Sequence, residues 1–165
     1  SRMKIGLISD THGWLDPALH RWFAGVEMIL HAGDLGNEAV LLELESIAPT
    51  IAVRGNVDGG AWARELPLER VVEVGNTRIA MLHIAGNPKK PRPEAKLLAA
   101  RERPDILLVG HSHIVVIERR EGVLWVNPGA AGRQGWQKER TAAILHLGQE
   151  RHIDLITLGK RGASA

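Results

Sequence analysis

The chain has 165 residues, 44% of them hydrophobic, and a formal net charge of +2. That suffices for one domain with a real core, and the charge is too mild to argue for nucleic-acid binding. It contains no cysteine, which excludes disulfides, thiolate metal sites and thiol nucleophiles. No apolar run approaches the roughly 18–20 residues needed to cross a bilayer. The first apolar segment ends in the polar Ser9-Asp10-Thr11-His12 instead of continuing as a secretory leader. A soluble, cytoplasmic protein is the expectation, with Ser1-Arg2 ahead of Met3 read as a cloning remnant.

Lys4–Ser9 reads as a short buried strand. Asp16-Pro17 supplies an N-cap followed by proline at the first helical position, predicting a helix to about Phe23. Met28–Ala32 is a second strand. Asn37 caps a helix whose Val40, Leu41, Leu44 and Ile47 form an apolar stripe, ended by Pro49. Thr50–Val53 is a third strand. Strand, helix, strand, helix, strand predicts a parallel, right-handed crossover unit.

The pattern then changes. Arg70–Val74, Gly75-Asn76 and Arg78–His83 predict a hairpin. Residues 84–93, rich in proline and lysine, read as a loop. A helix opens at Pro93-Glu94 and runs to about Arg103, before Pro104. Ile106–Val109 is a buried strand. Val115–Arg119 and Val123–Val126 form a second hairpin about Glu121-Gly122, and Ala142–Leu147 pairs with His152–Leu158. The expected architecture is an α/β/β/α sandwich of four layers, two mixed sheets with outer helices. One domain would span residues 3–158, with 159–165 a mobile tail.

Chemistry-bearing residues recur where strands end. Asp10-Thr11-His12, Gly33-Asp34, Gly55-Asn56, His83 and Gly110-His111-Ser112-His113 each follow an apolar run. An open α/β fold gathers such side chains at the carboxyl rim of its sheets. Two aspartates, an asparagine and four histidines make a mixed O/N donor set suited to two divalent transition metals. A carboxylate such as Asp34 can bridge two ions with its two oxygens. Each short motif alone is weak, and a lone His83 would more often be a satisfied core residue. The joint occurrence, in order, carries the reading.

This series resembles the calcineurin-like metallophosphoesterase superfamily, with its D-x-H, G-D, G-N-H-[DE], H and G-H-x-H motifs. The resemblance covers Lys4 to about Leu158, includes Asn127-Pro128-Gly129, and is greatest to the small phosphodiesterase branch that contains the retromer-subunit fold. It implies that Asp10, His12, Asp34 and His113 hold one metal ion. Asp34, Asn56, His83 and His111 would hold the other, with Asp34 bridging. Mn²⁺ is the favoured ion, with Fe, Ni²⁺, Co²⁺ and Zn²⁺ also suited. The implied activity is hydrolysis of a small, nucleotide-like phosphoester, most of all a diester, by a metal-bridging hydroxide. Arg54 matches a position that contacts phosphate in some relatives; its plain alternative is a surface arginine.

Two departures stand out. Val57 replaces the histidine thought to protonate the leaving oxygen in relatives. Asp58 keeps the acidic position and reads as a partner orienting the site or as part of the Asp58-Gly59-Gly60 turn, ahead of a substitute acid. Ile84 replaces a common glycine. Trp14, Trp62 and Trp136 could stack on an aryl group or nucleobase, although core capping is the commoner role. Arg133 and the Lys89-Lys90 loop are weaker candidates for substrate phosphate, while Arg119-Arg120 and Lys160-Arg161 read as solvated surface. The alternative function is a non-catalytic, retromer-subunit-like scaffold. A dinucleotide-binding fold is disfavoured, because no glycine-rich loop follows the first strand. A homo-oligomer stays open, and no membrane partner is expected.

Overall fold

The computed structural model describes residues 2–162. Its strands are β1 (Met3–Ile8), β2 (Met28–His31), β3 (Thr50–Ala52), β4 (Glu69–Val74), β5 (Thr77–Leu82), β6 (Gly86–Asn87), β7 (Lys90–Pro91), β8 (Ile106–Val109), β9 (Val116–Arg120), β10 (Val123–Asn127), β11 (Glu139–Leu147) and β12 (His152–Lys160). Helices are α1 (Leu19–Trp22), α2 (Glu38–Ile47), α3 (Ala61–Arg64) and α4 (Pro93–Glu102). One five-stranded sheet runs β12-β11-β1-β2-β3 and the other β4-β5-β8-β10-β9.

Period-2 alternation explains why two sheets stack. In β1, Ile5 and Leu7 join the cluster between the sheets, whereas Ile8 faces the outer cluster with Leu19, Phe23 and Leu44. In β8, Ile106 and Leu108 point inward, and Leu107 and Val109 pack outward with Leu98 of α4. Strands buried on both faces read as continuous apolar runs, as these do. Strands β1, β2 and β3 are mutually parallel, and β5, β8 and β10 form a second parallel set. Their carboxyl ends deliver all seven candidate ligands.

The expected sandwich is present, with the first helix shorter than anticipated and a short, unanticipated α3. Asn37 caps α2, accepting from the Val40 N–H at 3.0 Å. The helix expected from Pro17 is only Leu19–Trp22. Asp16 accepts from the Ala18 N–H and also pairs with the buried Arg140, so a tight turn replaces the first helical turn. The loop at 84–93 contains the small β6–β7 hairpin. Strand β12 carries through Lys160, two residues into the expected tail; residues 163–165, and Ser1 of the expected remnant, lie outside the described residues. Among those described, no helix is long and apolar enough to cross a membrane.

Candidate metal centre

The candidate ligands stand on unusual backbone. Seven described non-glycine residues have positive φ, and five of them are Asp10 (55°), His12 (48°), Asp34 (61°), His111 (72°) and His113 (63°). Left-handed backbone is costly for most side chains, and its concentration at one rim marks a functional constraint. The loops are locked together by main-chain bonds. Asp10 N–H donates to Gly33 O (3.0 Å), His12 N–H to Asp34 O (3.0 Å), and Gly110 N–H to His83 O (3.1 Å). Two glycines allow the close approach. A Cβ at Gly33 would sit 2.7 Å from His83 Nδ1, and one at Gly110 would sit 2.8 Å from Asp10 Oδ2.

Two groups of donors result: Asp10, His12 and His113, then Asp34, His83 and His111. Within each, the offered atoms lie within 4.8 Å of one another. Asn56 joins the second group, with Oδ1 3.2 Å from His111 Nδ1. The structure thus brings all seven predicted residues to one rim, with Asp34 grouped with His83 and His111 and its Oδ2 3.6 Å from His12 Nε2.

Each carboxylate has one oxygen engaged and one free. Asp10 Oδ2 accepts from the Ser9 hydroxyl (2.6 Å) and the His111 N–H (3.0 Å), leaving Oδ1 facing the rings. Asp34 Oδ1 accepts from the Val57 N–H at 3.0 Å. Its Oδ2 stands 3.6 Å from His12 Nε2 and 3.1 Å from His83 Nε2, between the two groups. Oδ2 is therefore the Asp34 oxygen that faces both groups and that ions held there would share.

The histidines are oriented the same way. Nδ1 of His83 lies 2.7 Å from Ala32 O, and Nδ1 of His113 lies 2.8 Å from Gln137 Oε1. A donating Nδ1–H fixes the tautomer and turns an unprotonated Nε2 inward. Asp10 Oδ1, His12 Nε2 and His83 Nε2 are buried with no hydrogen-bond partner among the described residues. Such orphaned atoms are costly unless something satisfies them. Donor separations of 3.2 Å (Asp10–His113) and 3.1 Å (Asp34–His83) match the about 3.0–3.4 Å expected of two atoms each ~2.1 Å from one ion. The residues present fit divalent metal.

The carboxylates and the rings also shift one another's proton affinity. Burial pushes the Asp10 carboxyl upward, but His113, His12 and Ser9 outweigh it and hold it far below the usual carboxylate range. Asp34 is likewise lowered, with His83 overcoming burial. Burial opposes a charged His83, yet the neighbouring Asp34 and Asp10 raise it; His113 is raised chiefly by Asp10. His111 is lowered by burial and then by His83.

The remaining candidates behave differently from one another. Asp58 accepts backbone N–H groups from Asp34 (3.0 Å), Gly36 (2.9 Å) and Gly55 (2.9 Å), tying the second and third strand exits together. Arg54 is half-buried; its N–H donates to Pro67 O, and its guanidinium makes no hydrogen bond among the described residues. The Val57 side chain is exposed. Trp62 packs on the outer core, and Trp136 is exposed. Trp14 is engaged by Arg133 (4.3 Å) and Arg140 (5.0 Å). Lys89 lines a groove of about 520 Å³ together with Lys96 and Arg120.

Sequence reasoning missed Gln137, which also donates to Gln134 O (2.8 Å) and so braces His113. It also missed His31. That ring accepts from the Gly33 N–H (3.0 Å) and lies 3.1 Å from Thr11 Oγ1, joining the first two strand exits. Full burial pushes its pKa down to about 4. Its signal was a polar residue ending an apolar strand; Gln137 gave none.

A two-sheet sandwich with acids, an amide and histidines gathered at its strand exits has the architecture of a metallophosphoesterase. Residues 3–150 match the profile of the calcineurin-like phosphoesterase superfamily domain, and the chain belongs to that superfamily. It is 35% identical over 133 residues to a probable metallophosphoesterase of Methanothermobacter thermautotrophicus, covering 78% of this chain and 77% of the relative. An archaeal phosphodiesterase superposes with TM-score 0.73 at 26% identity, covering 94% of this chain and 99% of that one. Vps29 of Entamoeba histolytica, complexed with Zn²⁺, shares the fold at TM-score 0.72 and 20% identity, with coverage of 95% and 100%.

Proposed function

We propose that this protein is a phosphodiesterase dependent on two divalent metal ions, Mn²⁺ first among them, acting on small phosphoesters as a single cytoplasmic domain of residues 3–158. One observation carries the reading: Asp34 Oδ2 stands between two donor groups in which Asp10 Oδ1, His12 Nε2 and His83 Nε2 have no hydrogen-bond partner among the described residues. Asp10, His12, His113 and Asp34 would hold one ion, and Asp34, Asn56, His83 and His111 the other. Bound there, the ions supply positive charge for the phosphoryl oxygens and bring water ionisation to about pH 7.

The chain's own groups do the rest. Val57 N–H orients the shared carboxylate, and Ser9 and the His111 N–H orient Asp10. Asp58, engaged by three main-chain donors, positions the loops rather than delivering a proton. Arg54, with its guanidinium unpaired among the described residues, is the cation available to an incoming phosphate. Position 57 offers no proton to a leaving oxygen. General acid catalysis is typically worth about 10²–10⁴-fold, so diesters with aryl leaving groups turn over faster than matched alkyl ones by a factor in that range. Equal rates on the two would contradict this account. The decisive measurement is Mn²⁺-dependent hydrolysis of an aryl phosphodiester, which His83→Ala and Asp34→Asn should abolish.

A second reading, a non-catalytic scaffold, is favoured by the fold shared with Vps29 and by the exposed Val57 at the rim. Metal uptake without turnover would support it.

A further inference from the structure

Beside His111 a cavity of about 260 Å³ opens against the outer face of the second sheet. Its walls are Ala85, Pro88, Val109, Ile114, Val116 and Trp125. No acid, lysine or arginine lines it. Its polar groups are largely engaged with each other. Asn127 donates to Gly110 O (3.2 Å) and Ser112 Oγ (3.1 Å) and accepts from the Gly129 N–H (2.9 Å). Ser112 Oγ also accepts from the Ile114 N–H, and Asn87 Oδ1 accepts from the N–H groups of Lys89 and Lys90. What remains facing the space is apolar, and it is contiguous with a candidate metal ligand.

We propose that this pocket is the subsite for an apolar ring on the ester arm that stays with phosphorus. The proposal rests on the phosphodiesterase reading and deepens it to a substrate class: diesters carrying one compact aromatic or aliphatic arm. Three arguments select that occupant. His111 lines the pocket, so a phosphoryl group at the rim is placed to direct an arm into it. Val57, at the position related to leaving-group protonation, is not part of the lining, which assigns the pocket to the retained arm. Ligand sites for drug-sized molecules hold about 300–1,000 Å³, so this smaller space takes one ring rather than a whole nucleotide. A longer arm continues over Trp125 and Pro88, which also line the 520 Å³ groove toward Lys96 and Arg120.

The test uses two diesters with a common 4-nitrophenolate leaving group, one with a methyl and one with a phenyl retained arm. Burying an aromatic ring contributes about 10- to 100-fold. The phenyl diester should exceed the methyl one by that factor in kcat/KM, through KM. Ile114→Ser, at an exposed wall position, and Val116→Thr should bring the ratio toward one while leaving methyl-diester turnover unchanged. Independently of turnover, phenylphosphonate should shift the Trp125 indole N–H resonance of the Zn²⁺-loaded protein, and methylphosphonate should not. A ratio near one with an unmoved Trp125 overturns the subsite and leaves the hydrolase standing. A moved Trp125 without hydrolysis of either diester sustains the subsite and defeats the hydrolase. A wild-type dimer that Ile114→Ser dissolves assigns the pocket to a second copy and overturns the proposal.

Discussion

Among the described residues, two clusters of histidine and aspartate stand at opposite ends of the first sheet, and only one has the form of a metal site. The first lies beyond the carboxyl end of β1. The second lies near its amino end, where His146, paired with Lys4 across the sheet, meets His152 and Asp154. There, His146 Nε2 lies 2.9 Å and His152 Nε2 2.6 Å from the Asp154 oxygens. His152 leads the other contacts in lowering the Asp154 pKa. All three side chains are substantially exposed on regular strand backbone. A cavity of about 900 Å³ opens beside them, larger than the 260 Å³ cavity beside His111. Neither cavity size nor residue type therefore separates the two. The rim differs in its left-handed backbone, its buried and unpartnered inward atoms, and the main-chain donors that fix every carboxylate.

The comparison breaks most sharply on the two aspartates. Asp34→Asn should reduce diester hydrolysis by about 10³-fold or more, since it weakens the one atom shared by both donor groups. Asp154→Asn should leave the rate within about twofold. Parallel kinetics with Mn²⁺ decide, and similar losses in both variants would refute the assignment.

Next comes acid stability. His31 is neutral when folded, with a pKa pushed down to about 4 from an ordinary value of 6.5. Below that ordinary value the unfolded chain binds the extra proton, so stability falls as pH drops from about 6.5 toward 4. The loss attributable to this ring is about 3 kcal/mol at most. Denaturant midpoints across that range should flatten in His31→Asn relative to wild type.

Smaller again is Gln137→Ala, which releases His113 Nδ1. Outer partners of metal-binding histidines typically contribute about 10–100-fold in affinity or activity, and isothermal titration with Zn²⁺ should show a loss in that range with the fold intact. The smallest effect belongs to the exposed cluster: removing His152 should change stability by no more than about 0.5 kcal/mol, read from thermal melts.

What the sequence disclosed follows from locality. The parallel strand–helix–strand pattern placed Asp10, Asp34 and Asn56 at strand exits, and short spacings paired His12 with Asp10 and His111 with His113. Alternation in β1 and β8 carried the two-sheet core. Contacts between distant segments were invisible. Gln137 meets His113 across 24 positions, Arg140 meets Asp16 across 124, and nothing local announces either. Asp16 shows the cost of local reading: it closes a turn on the Ala18 N–H and pairs with the buried Arg140, and the helix begins only at Leu19 without a side-chain cap. The division of labour between the two oxygens of Asp34 depended on the Val57 main chain, which no side-chain motif encodes.

The left-handed backbone at the rim has a consequence for descent. Aspartate, asparagine and histidine are the non-glycine residues that such conformations tolerate best. At Asp10, His12, Asp34, His111 and His113, folding and chemistry therefore favour the same letters. A lineage that abandoned hydrolysis would still shed those five slowly. His83 and Asn56, free of that conformational demand, would drift first, and their presence or loss in a relative is the more telling sign of retained catalysis.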